Sequence, residues 1–191
     1  ISKQPFPYIF TENIFDNEYY WQIISNFPQL QDMTPLNKTD RVRSDGSNKY
    51  KQRLVIQLDK ESTTPLSEKQ IIFWDNFSKS LASNIFAKTL FKKFYPWIAN
   101  RVTRNKLSKD NEFNVHCDIL LVNDQTNYKI GPHTDHPERI FSLLFYLPEE
   151  SSTESLGTSI YIPKNKSFTC KGGPHYNKEY FKKVTTMPYR K

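Results

Sequence analysis

Two metal-binding side chains stand one residue apart in the run Tyr128-Lys129-Ile130-Gly131-Pro132-His133-Thr134-Asp135-His136-Pro137. On an extended segment, residues i and i+2 point to the same face. His133 and Asp135 would therefore present an imidazole and a carboxylate side by side, two ligands for a divalent cation on one short element. A bare His-x-Asp arises often by chance, as a surface turn with two hydrogen-bonding side chains. The surroundings set this one apart: Gly131-Pro132 before it, His136-Pro137 after it, then the apolar run Phe141-Ser142-Leu143-Leu144-Phe145-Tyr146-Leu147-Pro148.

One His and one carboxylate at this spacing, completed by a distant His, make the facial triad of non-haem iron(II) oxygenases, which leaves coordination positions open. The order of motif and apolar strand resembles the iron(II)/2-oxoglutarate-dependent oxygenases of the prolyl-hydroxylase-like branch. The resemblance runs from about Asn114 to Tyr189. It extends weakly to residues 5–28, where an entry strand, a helix and a Phe-Pro end are similar to that family's leader. It implies a double-stranded β-helix (a jelly roll) with helices buttressing one sheet. It implies His133 and Asp135 as the first two Fe(II) ligands, Tyr146 as a hydrogen-bond partner of a 2-oxoglutarate carboxylate, and Leu144 packing against that cosubstrate's carbon chain. Tyr128 and Asn123, on the approach to the motif, would line the cosubstrate or substrate pocket. The implied activity is hydroxylation of an unidentified organic substrate by O2. The alternative is a non-catalytic jelly-roll binding module with an incomplete metal site.

The family's third ligand is a distal His, followed on the next strand by a basic residue for the far carboxylate of 2-oxoglutarate. The remaining histidines here are His116, upstream of the motif, His136, adjacent to Asp135 and so facing away from it, and His175. His175 follows the motif in the right direction and is the candidate third ligand within this sequence, but it sits in the Gly/Pro-rich stretch Lys171-Gly172-Gly173-Pro174-His175 and on no recognisable strand. The expectation is a chain truncated at its C-terminus, with the distal His and the basic residue beyond Lys191.

The elements that must position the motif follow from periodicity. Residues 5–10 read as an entry strand, and Asp16 caps a short helix carrying Tyr19, Tyr20, Ile23, Ile24 and Phe27 at three-to-four spacing. Residues 37–53, with the turn pair Asp45-Gly46, read as a loop, and 54–58 as a strand. Ser67 and Gln70 form a capping box. It opens one long helix whose apolar stripe runs from Ile71 through Trp74, Phe77, Leu81 and Ile85 to Leu90 and Phe94, with Pro96 ending it. From Phe113 to Leu121 the period becomes two, a half-buried strand. Residues 141–147 and 158–162 are further strands, and Val184 to Tyr189 begins another. Residues 149–155 read as a lid. Helices first and strands afterward give α+β: a single domain over 1–191, with 1–110 as helical support and 111–191 as the first part of the β-core.

Composition bounds the rest. Of 191 residues, 37% are apolar and 15% aromatic, enough for a packed core. No apolar run approaches the ~18 residues of a membrane span, and none resembles a secretory leader. Two cysteines, Cys117 and Cys170, are too few for a disulfide framework, which points to the reducing cytoplasm. The first 163 residues balance nineteen basic against nineteen acidic side chains, so the net charge of +7 lies in the last 28. That stretch lacks the Arg-rich or aromatic-interleaved pattern of a nucleic-acid groove and reads as solvated surface.

Overall fold

Asp16 Oδ1 accepts a hydrogen bond from the Tyr19 N–H at 2.8 Å and opens α1 (Asn17–Ser25), as the spacing predicts. The buried face of α1 is Tyr20 and Ile23, three residues apart. The computed structural model describes residues 1–41, 50–58, 65–106, 115–126, 128–149 and 156–191. The predicted Asp45-Gly46 turn and most of the predicted 149–155 lid lie outside them. The architecture is mixed α/β, with three helices and five strands among the described residues. The strands form two small antiparallel sheets, and no closed barrel is present among these residues. Among the described residues no helix is long and apolar enough to cross a membrane. The chain divides into two compact units, one of Ile1–Ile24, Phe91–Phe113 and Ile130–Lys191, the other of Ser25–Leu90 and Asn114–Lys129.

In the second unit, α2 (Glu68–Leu81) starts on the predicted capping box. Ser67 Oγ accepts from the Gln70 N–H, and Gln70 Oε1 accepts from the Ser67 N–H at 3.0 Å. The indole of Trp74, 2% exposed, meets Phe27, Phe73 and Phe77 edge-on and donates to the Asn26 carbonyl at 2.9 Å. The sheet is β1 (Thr34–Pro35), β2 (Arg53–Gln57) and β3 (Leu120–Asp124) in that order. The β2–β3 ladder is clamped at both ends. Arg53 faces Asp124 across the strands and binds it through two nitrogens, at 2.7 and 2.6 Å. At the other end Arg41 pairs with Asp118 and reaches Gln57. In the first unit, β4 (Ser159–Pro163) and β5 (Phe181–Thr186) form a hairpin ladder with an irregularity at Ile160/Tyr161.

Several predicted elements differ, each for a local reason. The long helix is two. Ala82 closes α2, and Ser83 caps α3 (Asn84–Asn105) by accepting from the Phe86 N–H at 3.3 Å. Ser and Asn at 83–84 favour that interruption because their side chains compete for backbone groups. Pro96 does not end the helix but lies inside α3. Its ring is on the exposed side, while Phe94, Ile98 and Val102 are buried at four-residue spacing. Among the described residues the predicted 113–121 strand begins only at Leu120, opposite Gln57 of β2, with one further bond from the Leu58 N–H to the Ile119 carbonyl. Residues 115–118 are exposed, His116 and Cys117 among them; Phe113 and Asn114 lie outside the described residues. The entry strand is reduced to a single bridge between Ser2 and Tyr8, consistent with Pro5 and Pro7 having no N–H to donate. Residues 141–147 pair with no strand among the described residues; their anchors are aromatic. Phe141 meets Phe91 and Phe94, and Phe145 meets Phe15. The strand expected from Val184 begins earlier, at Phe181.

A proline inside a helix removes one backbone hydrogen bond and crowds the preceding turn, at a cost of about 3 kcal/mol. Pro96→Ala is therefore expected to raise the urea midpoint, with a gain of up to about 3 kcal/mol. An unchanged or lower midpoint would show that packing requires the proline. A second expectation concerns alkaline pH. The Tyr20 hydroxyl donates to the Pro148 carbonyl at 2.5 Å, and burial, reinforced by Tyr189 and Glu149, pushes its pKa up to about 12. As pH rises past about 10 the unfolded chain loses this proton before the folded one does. The contribution of Tyr20 is thus complete below about pH 10 and is lost toward pH 12. In urea melts at pH 9 to 12, Tyr20→Phe should start less stable than the wild type and lose stability less steeply. Parallel losses in the two proteins would contradict this.

Candidate metal centre

The segment carrying His133 and Asp135 is held by its backbone. Residues 172–176 run alongside it: the Gly173 N–H donates to the Thr134 carbonyl at 2.8 Å and the Tyr176 N–H to the Pro132 carbonyl at 2.9 Å. Pro132 and Pro174 have no N–H, so the two segments make isolated bonds and not a continuous ladder. Their approach depends on glycine. A Cβ at Gly131 would sit 2.4 Å from the Tyr176 carbonyl oxygen, and one at Gly172 would sit 2.9 Å from the Asp135 carbonyl oxygen. Gly172 and Gly173 also take positive φ values, +76° and +91°, which L side chains rarely adopt.

Within this frame each predicted ligand is oriented by one atom. Nδ1–H of His133 donates to the Gly131 carbonyl at 2.9 Å; a carbonyl can only accept, so in the neutral ring the lone pair is on Nε2. Nε2 lies 3.8 Å from Asp135 Oδ1. The other carboxylate oxygen, Oδ2, accepts from Ser142 Oγ and lies 3.7 Å from the Arg139 guanidinium. Two bonds of about 2.1 Å span up to roughly 4.2 Å, so the separation lies within reach of one cation only at a wide angle between the two bonds, and cis coordination requires the two side chains to draw closer. The two side chains are 25% and 33% exposed, so the pair is open to solute. Arg101 of α3 ties down the turn that follows: Nε donates to the Pro137 carbonyl and an outer nitrogen to the His136 carbonyl, both at 3.1 Å.

The structure brings one further histidine to this pair. The rings of His133 and His175 stand 4.6 Å apart, tilted by 46°. His136 points elsewhere, toward Glu138 at 3.7 Å. Among the described residues no three His, Cys, Asp or Glu side chains form a metal-holding cluster.

The residues expected to meet the cosubstrate are placed differently. The Tyr146 hydroxyl donates to Thr158 Oγ1 at 2.7 Å and accepts from the Thr158 N–H at 3.0 Å, while its ring lies on Tyr189. Leu144 is 64% exposed. Asn123 and Tyr128 belong to the second unit. Asn123 lies on β3, and its side-chain oxygen accepts from Gln125. The Arg53 guanidinium lies over the Tyr128 ring at 4.5 Å. The Tyr128 hydroxyl is buried with no hydrogen-bond partner among the described residues, and burial raises its pKa well above the usual tyrosine range.

Sequence reasoning singled out neither Ser142, Arg139 nor Arg101. Two signals were available for the first two: Ser142 is the polar interruption of an apolar run, and Arg139 stands four residues after Asp135, a spacing at which opposite charges meet in a turn. Arg101 is distant in sequence and gave no signal. No family model, curated protein or solved structure matches this chain.

Gly131→Ala places a methyl group into the Tyr176 backbone, which cannot yield as a flexible side chain can. Overpacking of this kind costs about 1–3 kcal/mol, or roughly 2–4 °C of melting temperature per kcal/mol at this chain length. A thermal melt indistinguishable from wild type would show that the two segments separate freely.

Proposed function

We propose that the chain is an Fe(II)- and 2-oxoglutarate-dependent dioxygenase that hydroxylates an organic substrate, on a double-stranded β-helix of which these strands are a part. The observation that supports this best is the division of labour within the pair. His133 and Asp135 each have one polar atom engaged by the protein, and the remaining two, Nε2 and Oδ1, face each other at 3.8 Å. An incidental surface turn requires no such arrangement. A ligating His whose second nitrogen donates to a backbone carbonyl is the usual way a tautomer and a ring plane are set for a metal.

Fe(II), when bound, supplies the activation of O2, with 2-oxoglutarate as the two-electron co-reductant that leaves as succinate and CO2. The chain's own residues hold and orient. His133 offers a neutral nitrogen from a fixed tautomer. Asp135 offers one anionic oxygen, and Ser142 and Arg139 retain the other, which favours a single bond to the cation and leaves neighbouring positions open. For Tyr146 to donate to a cosubstrate carboxylate, its hydroxyl must first leave Thr158. A cytoplasmic setting is part of this reading and is supported by the low cysteine content.

The test is anaerobic Fe(II) titration of the wild type, His133→Ala and Asp135→Ala, with far-UV circular dichroism to confirm that the variants fold. Each variant is expected to lose iron retention, by more than the ~10–100-fold that loss of an outer partner costs. The wild type with Fe(II), O2 and 2-oxoglutarate is expected to release succinate. Iron binding unchanged in both variants would remove the site. Dyad-dependent iron binding with no succinate would favour the non-catalytic binding module.

A further inference from the structure

We propose that His175 is a positioning residue for the dyad: its ring, carried by residues 172–176, packs against the ring of His133 and fixes the plane in which Nε2 faces Asp135. The inference rests on the metal-site reading above and goes beyond it, because it assigns a role to a side chain that is not itself a ligand.

The argument begins with what the Gly131 carbonyl does not do. A single hydrogen bond at Nδ1 sets the direction of one N–H bond of His133. The ring can still rock about that bond, since the second side-chain torsion of histidine is broad and soft. Rocking sweeps Nε2, on the far side of the ring, toward or away from Asp135 Oδ1. A second contact on the ring face removes that freedom, and His175 supplies one at 4.6 Å between ring centres. The contact can be stiff because its carrier is stiff. Residues 172–176 are joined to the dyad segment by two backbone hydrogen bonds, at Thr134 and Pro132, on either side of His133. Glycines at 131 and 172 let the backbones touch there, with no side chain between them. His175 therefore sits on the neighbouring segment, held in register with the residue it covers. Arg101, Arg139 and Ser142 act on the Asp135 side of the pair, and none of their recorded contacts is with the His133 ring. Outer partners that orient a ligating His typically change metal affinity 10- to 100-fold.

Mn(II) serves as the probe, because its free-ion electron paramagnetic resonance signal disappears on binding and gives the affinity directly. The full chain is titrated as wild type, His175→Ala, His175→Phe and His133→Ala, each checked by circular dichroism. His175→Ala should bind Mn(II) about tenfold more weakly or worse with the fold retained. His175→Phe keeps a flat ring without nitrogens and should return to within about threefold of wild type. The nitrogen hyperfine coupling of its bound Mn(II) should be unchanged. Phe as weak as Ala, or loss of a nitrogen coupling in the Phe variant, would show that His175 acts through its own nitrogens and would overturn the proposal. Wild-type affinity in His175→Ala would overturn it too. If His133→Ala binds Mn(II) as well as wild type, the dyad itself is wrong; if only His133→Ala loses binding, the dyad stands and the role of His175 falls.

Discussion

The close passage of two backbones, residues 131–135 against residues 172–176, is the constraint on which the candidate site depends. Side chains normally keep neighbouring segments far enough apart that a turn such as Pro132-His133-Thr134-Asp135 would be free to flex. Here Gly131 and Gly172 remove the obstructing Cβ atoms, and the N–H groups of Gly173 and Tyr176 bond directly to carbonyls within the turn. Buried or half-buried backbone polar groups need partners, and these two segments partly satisfy each other. The His133 and His175 rings meet as a consequence, since each is carried on one side of the same seam.

The dyad atoms that do not face each other are then each held by a neighbour, and α3 holds the turn that follows. The Gly131 carbonyl, two residues upstream, takes the His133 proton, and Ser142 and Arg139 take one carboxylate oxygen. Arg101, from α3, holds the carbonyls of His136 and Pro137, so the turn cannot swing as a unit. The 141–147 run, apolar enough to read as a strand, contributes here as an anchored extended segment. Phe141 and Phe145 dock on aromatic neighbours, Ser142 reaches Asp135, and Tyr146 closes on Thr158 at the start of β4.

The second unit has a separate logic. Its sheet is short, and a short ladder frays from its ends. Arg53–Asp124 and Arg41–Asp118 stand at those ends, and the guanidinium of Arg53 also covers the Tyr128 ring. Exposed ion pairs are worth little singly, but bidentate geometry directly across a ladder also selects register, because a slip of one residue would separate the pair and invert every side chain. Trp74, with its indole bonded to Asn26 and edges of three Phe rings around it, supplies the apolar weight.

Local rules were legible from the residues alone. The Asp16 cap, the Ser67/Gln70 capping box, strands near 54–58 and 158–162, and the His133/Asp135 pairing all depend on neighbours within four residues, and physical chemistry at that range leaves few alternatives. Strand lengths were not legible, because a strand ends where its partner ends: among the described residues β3 starts at Leu120, opposite the last residue of β2, and 141–147 pairs with no strand despite its composition. Pro96 was misleading for the same kind of reason, its local penalty being outweighed by the buried face of α3. The sequence by itself therefore determined which residues could form a side-by-side imidazole–carboxylate pair and which backbone groups could be capped. Only the tertiary structure decided that His175 and Arg101 belong beside that pair, since contacts across thirty-five to forty-two residues are set by how the backbones pass one another, and no periodicity records that.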